Sequence, residues 1–115
     1  MAVLEQGDKI HVMTRRRFEE DLRRHFVGEI QAATDTAIRV EGYTFVFDGT
    51  ANEFVKRPEI RVRIFGLADS GNIINVLPRT VDIKKVYYGQ SEDKRLMLAD
   101  GESFTLDINE FTHLR

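Results

Sequence analysis

Arg61 and Arg63 stand two positions apart, interleaved with Ile60, Val62 and Ile64 and preceded by Lys56 and Arg57. Alternate side chains of a strand point the same way, so this spacing makes a basic stripe of the kind that tracks phosphates, backed by an apolar face. A second cationic group, Arg79, Lys84 and Lys85, lies in the run Arg79-Thr80-Val81-Asp82-Ile83-Lys84-Lys85-Val86. Tyr87 and Tyr88 follow it, and adjacent tyrosines on a strand face opposite sides, so at most one could stack on a base. Other chemistries have little to work with. His11, His25 and His113 fall on three separate elements without metal-ligand spacing. Glu19, Glu20 and Asp21 are consecutive and would fan around a helix rather than converge on a metal or a proton. No glycine-rich phosphate loop opens a helix, and no serine sits in a nucleophile elbow. The chain has no cysteine, which removes disulfides, zinc–thiolate sites and thiol nucleophiles together. These residues predict a protein that is not an enzyme, with no catalytic set, no metal and no cofactor.

At 115 residues, the chain reads as one domain spanning 1–115, because two cores of half that size would bury too little surface. Hydrophobic and charged fractions of 42% and 31% are ordinary for a globular protein. No apolar run approaches the ~20 residues that cross a bilayer, and no signal-peptide pattern opens the sequence. A cytoplasmic setting is expected, with no membrane partner and no small-molecule substrate. The formal net charge of -2 supplies no global basic surplus, so nucleic acid could be held only by a local patch.

The elements that would position these residues are mostly strands. Ile10 and Val12 alternate with polar neighbours in a first strand over 9–14. Residues 15–25 contain no proline, glycine or β-branched side chain, and Phe18, Leu22 and Phe26 recur every four positions. That spacing predicts one short amphipathic helix, capped by Thr14 and laced by pairs such as Glu19 with Arg23. Strands are then expected over 27–34, around Ile38 and Val40, and through Tyr43, Phe45 and Phe47, where the apolar parity changes at Gly42. A glycine at a change of phase predicts a bulge or a sharp bend, which a closing barrel needs. Further strands are read over 58–64, 73–77 and 81–88, with a hairpin turn at 69–72. Residues 94–109 read as an appended C-terminal hairpin. Matching of apolar pairs there favours a three-residue loop with Gly101 at positive φ, setting Leu98 against Phe104 and Leu96 against Leu106.

Phe26-x-Gly28-x-Ile30, Asp35 in the following turn, and Ile38-x-Val40 resemble the first motif of the Sm-like family of RNA-associated ring proteins. The run from Arg79 to Val86 is similar to that family's second motif. The resemblance covers roughly 26–86 and rests on short, tolerant motifs. It implies an all-β fold, a small, strongly bent Sm-like or SH3-like barrel, carrying here one short helix and an extra C-terminal β-hairpin. It also implies a homo-oligomeric ring of about five to seven subunits, closed head to tail through the strands around 73–77 and 81–87. By the same resemblance, single-stranded RNA is the expected partner. Asp35 would orient the base-binding turn and Arg79 would cover the base or contact phosphate, with Lys84 and Lys85 near the pore.

The chain departs from the family pattern at three points. Asp35 lies one residue further from Gly28, Thr36-Ala37 replaces the stacking aromatic and the base-reading asparagine, and Thr80 replaces a glycine. A stacking aromatic contributes ~1–3 kcal/mol per base. Two functions from different classes therefore stay open. One is a nucleic-acid-binding ring using Asp35, Arg79, Lys84, Lys85, Arg61 and Arg63. The other is a structural or protein-interaction module that keeps the barrel without the base pocket.

Overall fold

The structure, a computed structural model, describes residues 3–15, 18, 23–68, 71–90 and 95–108. It is mostly β and holds two antiparallel sheets. The larger contains β1 (Lys9–Met13), β2 (Arg24–Ala33), β3 (Ala37–Asp48), β4 (Glu53–Gly66) and β5 (Ile73–Leu77), in the order β4-β3-β2-β1-β5. The smaller contains β6 (Tyr87–Gln90), β7 (Leu96–Ala99) and β8 (Thr105–Asp107), in sequence order. The all-β expectation holds. The large sheet does not close by strand pairing, and β4 and β5 are its two edges.

Each face of the large sheet has its own apolar cluster. Val27, Phe45, Leu77, Val81, Val86, Leu98 and Ile108 pack where the small sheet lies against it. On the opposite face Ile10, Val12, Phe26, Ile30, Ile38 and Val40 are buried, with Leu4, Phe65, Leu67 and Ile74 packed against them. Full burial of each such side chain stabilises by ~1.5–3 kcal/mol. This arrangement corrects the expected phase change at Gly42. Alternation along β3 is unbroken, with Ile38, Val40, Gly42 and Thr44 on one face and Tyr43 and Phe45 on the other. Both parities look apolar because different halves of the strand are covered on different sides.

Gly42 does mark a sharp feature. It stands directly opposite Gly28 in the β2–β3 ladder. A Cβ built on Gly42 would lie 2.0 Å from the Val27 carbonyl oxygen and 2.5 Å from the Gly28 Cα. Only a glycine pair lets two strands come this close. The register break between β3 and β4 lies just beyond, where Tyr43 faces Ile60 and Phe45 faces Lys56. Arg57, Pro58 and Glu59 have no β3 partner there, as expected of a proline inside an edge strand.

Several expected elements differ. Of the segment read as a helix, residues 16, 17 and 19–22 lie outside the described residues, while Arg24 and His25 open β2 rather than end a helix. A spacing of four satisfies both a helical face and a strand face, so Phe18, Leu22 and Phe26 could not separate the two. Residues 69 and 70 also lie outside the described residues, but the segment does not make a hairpin, because β5 pairs with β1 at the far edge from β4. The strand expected over 81–88 is instead a connection with a 3-10 turn at Ile83–Lys85, followed by β6. Asp82 caps that turn by accepting from the Lys84 amide. The turn lets Val81 and Val86, of opposite strand parity, enter the same core. In the C-terminal hairpin Leu98 pairs with Leu106 and Ala99 with Thr105, two residues out from the expected register. Asp100 accounts for the longer loop, since its carboxylate accepts from the amides of Glu102 and Phe104, and Gly101 has φ +80.

Candidate functional site

The turns expected to bind RNA lie at one end of the large sheet. Thr34, Asp35 and Thr36 connect β2 to β3, and the Leu67 amide after β4 donates to the Thr36 carbonyl. At the same end the Gly7 amide donates to the Ile30 carbonyl, and Arg79 follows β5. Arg79 is committed locally. Its guanidinium donates to the Asp8 carboxylate at 2.9 Å and to the Gln6 carbonyl at 3.3 Å. Asp35 does not organise its own turn. The Thr34 hydroxyl does, accepting from the Thr36 and Ala37 amides, while Asp35 is exposed.

The remaining cations divide in a way the sequence did not show. Lys84 and Lys85 are exposed on the 3-10 turn, and Lys85 pairs with Glu102 at 3.1 Å, which raises its pKa. Lys9 and Lys56, two cations outside the expected RNA set, fasten this connection to the sheet. Lys9 donates to the Val81 carbonyl at 2.6 Å, and Lys56 donates to the carbonyls of Lys84 and Val86 while standing 4.5 Å over the Tyr43 ring. Partial burial lowers the Lys56 pKa, and the nearby Asp82 opposes that shift.

Arg61 and Arg63 share a face, as expected, but it is not the outer one. They pair with Gly42 and Val40, so they extend from the face that holds the Ile30–Ile38 cluster, and the Arg63 guanidinium stands over the Phe26 ring. Ile60, Val62 and Ile64 take the other face of this edge strand and are 47%, 53% and 66% exposed. At the other edge Ile73 and Val76 of β5 are exposed as well. Among the described residues both edges of the large sheet are therefore unpaired and carry exposed apolar side chains.

Three residues far apart in sequence meet between the two sheets. His11 on β1 is fully buried, and its Nε2 is 2.8 Å from the Tyr88 hydroxyl of β6. The same hydroxyl is 2.5 Å from His25 Nδ1 on β2. The Asn75 amide nitrogen, 3.1 Å away, can only donate to His11 Nδ1, which fixes the direction of the chain. His11 then donates from Nε2 to Tyr88, and Tyr88 donates to His25. His25 also stacks on Phe54 with ring centroids 4.5 Å apart. Both imidazoles are neutral in this arrangement. Burial, assisted by the neighbouring His25, lowers the His11 pKa to about 3, and burial together with Arg23 lowers that of His25 to about 4. Burial also pushes the Tyr88 pKa up. This is a satisfied polar chain that fixes how the sheets meet. The only sequence signal for it was apolar neighbours on both sides of His11.

An open pocket of about 440 Å³ lies beside Tyr88, bounded by Asn52, Glu53, Phe54, Gln90 and Leu96, while the Tyr88 hydroxyl is directed at the two imidazoles. Among the described residues no three His, Asp or Glu side chains gather into a metal-binding group, and no helix is long and apolar enough to cross a membrane. No family model, curated protein or solved structure matches the chain.

Proposed function

We propose that this chain is a non-enzymatic assembly module, a divergent Sm-like subunit whose copies join edge to edge into a homo-oligomeric ring of about five to seven. The observation that carries this reading is the pair of free edges. β4 and β5 terminate the large sheet, and both carry exposed aliphatic side chains, Ile60, Val62 and Ile64 on one and Ile73 and Val76 on the other. Edges of this kind aggregate unless they are covered, and cyclic pairing covers both at once. The edge strand opposite β5 is β4 rather than the 81–87 segment, which holds the 3-10 turn and enters the core. Val62→Lys introduces a charge at the centre of the β4 stripe. The expected result is dissociation to a folded monomer by native mass spectrometry, with wild type remaining assembled. An unchanged assembly in Val62→Lys would move the interface away from β4.

A second reading, binding of single-stranded RNA by that ring, is supported by the placement of the Asp35 and Arg79 turns at one end of the sheet. Arg79→Ala removes a surface ion pair, so its effect on stability should stay within about 1 kcal/mol. Fluorescence anisotropy with labelled oligo-U and oligo-A at low salt should then show salt-sensitive binding by wild type that Arg79→Ala loses. Absence of binding by wild type would leave the assembly reading without RNA.

A further inference from the structure

At the end of the sheet away from the Asp35 turn, the face of β1–β4 that holds Phe26 contains a small pocket with an unusual lining. Thr14 follows β1, Arg24, His25 and Phe26 lie on β2, Thr44 lies on β3, and Arg63 and Phe65 lie on β4. The pocket has a volume of about 40 Å³. Thr44 is 7% exposed, and its hydroxyl is the one buried side-chain polar atom among the described residues with no hydrogen-bond partner. A buried hydroxyl left without a partner is costly and rare, so each case points to something that completes it. The β3–β4 register breaks at Thr44, where Arg57, Pro58 and Glu59 have no partner on β3.

The other groups at the pocket select what would fit. Arg24 and Arg63 both line the pocket, and neither has an ion-pair partner among the described residues. Arg63 is exposed, and its guanidinium stands 5.9 Å from the centre of the Phe26 ring. Thr14 and Thr44 add hydroxyl-bearing side chains, and His25, Phe26 and Phe65 make up the rest of the lining. Guanidinium forks with hydroxyl donors around a small concavity match the oxygens of a phosphate group, which accepts several charge-assisted hydrogen bonds at once. No carboxylate lines the pocket to select a cation instead.

We propose that the pocket lined by Thr14, Arg24, Thr44 and Arg63 binds a phosphate group, with the Thr44 hydroxyl and the two guanidinium groups as its donors. A free phosphate and the phosphate of an RNA backbone share this chemistry. The site shares β4 with the proposed assembly edge, but Arg63 and Phe65 alternate with Ile60, Val62 and Ile64 on that strand, so phosphate binding and assembly are read by separate measurements.

Thermal unfolding in inorganic phosphate, against chloride at equal ionic strength, reads the site directly. A ligand that binds only the folded state raises the Tm. Wild type should be stabilised by phosphate beyond chloride. Thr44→Val keeps the shape and removes the hydroxyl, and Arg63→Gln removes a fork. Each should weaken phosphate affinity about tenfold or more, the effect of losing one charge-assisted bond. Arg39→Gln, on the other face of β3, should bind like wild type. Oligo-uridylate binding that phosphate competes with and Arg63→Gln weakens would assign the group to a nucleic-acid backbone. Phosphate stabilisation without oligonucleotide binding would assign it to a free phosphate. Equal responses to phosphate and chloride in wild type would overturn the proposal, as would undiminished binding by Thr44→Val together with Arg63→Gln. With Thr44→Val more stable than wild type, the first of these results would mean that the pocket holds only water.

Discussion

Replacing Gly42 by alanine should cost about 3 kcal/mol or more of folding stability, one of the largest losses available to a single methyl group in this chain. The new Cβ would overlap the Val27 carbonyl oxygen at 2.0 Å and the Gly28 Cα at 2.5 Å. Both contacts are backbone, so no rotamer change can relieve them. Relief requires β2 and β3 to separate at the point where Phe26, Ile30 and Val40 pack on one face and Val27 and Phe45 on the other. Urea unfolding followed by tryptophan-independent circular dichroism measures the loss, and Gly66→Ala is the control, because nothing lies within 4 Å of a Cβ there. A Gly42→Ala protein as stable as wild type would mean that the two strands do not approach at this pair.

Acidification should produce the second large effect. The buried His11–Tyr88–His25 chain requires both imidazoles to be neutral, and their folded-state pKa values lie near 3 and 4 against 6.5 when exposed. Above pH 6.5 both the folded and unfolded chains are neutral at these positions, and stability is at its maximum with respect to them. As pH falls below that value, the unfolded chain takes up protons that the folded chain excludes. Stability is therefore lost progressively toward the folded values. For fully buried His11, the loss between pH 7 and about pH 4 is on the order of 3 kcal/mol. The slope should be steepest below pH 6.5 and should flatten in His11→Asn, which has no proton to take up there. A stability profile that stays level from pH 7 to about pH 4 would contradict a buried neutral pair.

Parts of this fold were legible in the sequence, for identifiable reasons. The strands through Phe26, Gly28 and Ile30 and through Ile38 and Val40 were legible from alternation, since a strand declares its period locally. Gly42 stood out because glycine has few reasons to interrupt an apolar strand, but what it marks is a close approach of β2 and β3. The helix over 15–25 was not separable from a strand, because the four-residue spacing of Phe18, Leu22 and Phe26 fits both periods. Arg61 and Arg63 were correctly placed on one face, but which face depends on their partners Gly42 and Val40, and pairing is not a local property. The hairpin register shifted by two because a single Asp100 carboxylate can accept two loop amides, which apolar matching cannot reveal. The site residues fared likewise. Arg79 was singled out as a cation, but its tie to Asp8 spans 71 positions. The His11–Tyr88 contact spans 77, and only the packing of one sheet on another brings those residues together.

Sedimentation velocity of the wild-type chain at micromolar concentration tests the central claim, that the free β4 and β5 edges join copies of this protein. A single species of about five to seven times the 13.3 kDa of one chain is expected, its sedimentation unchanged on modest dilution. A species that sediments as a monomer throughout that range would contradict it, and would leave the exposed Ile60, Val62 and Ile64 stripe for a different protein to cover.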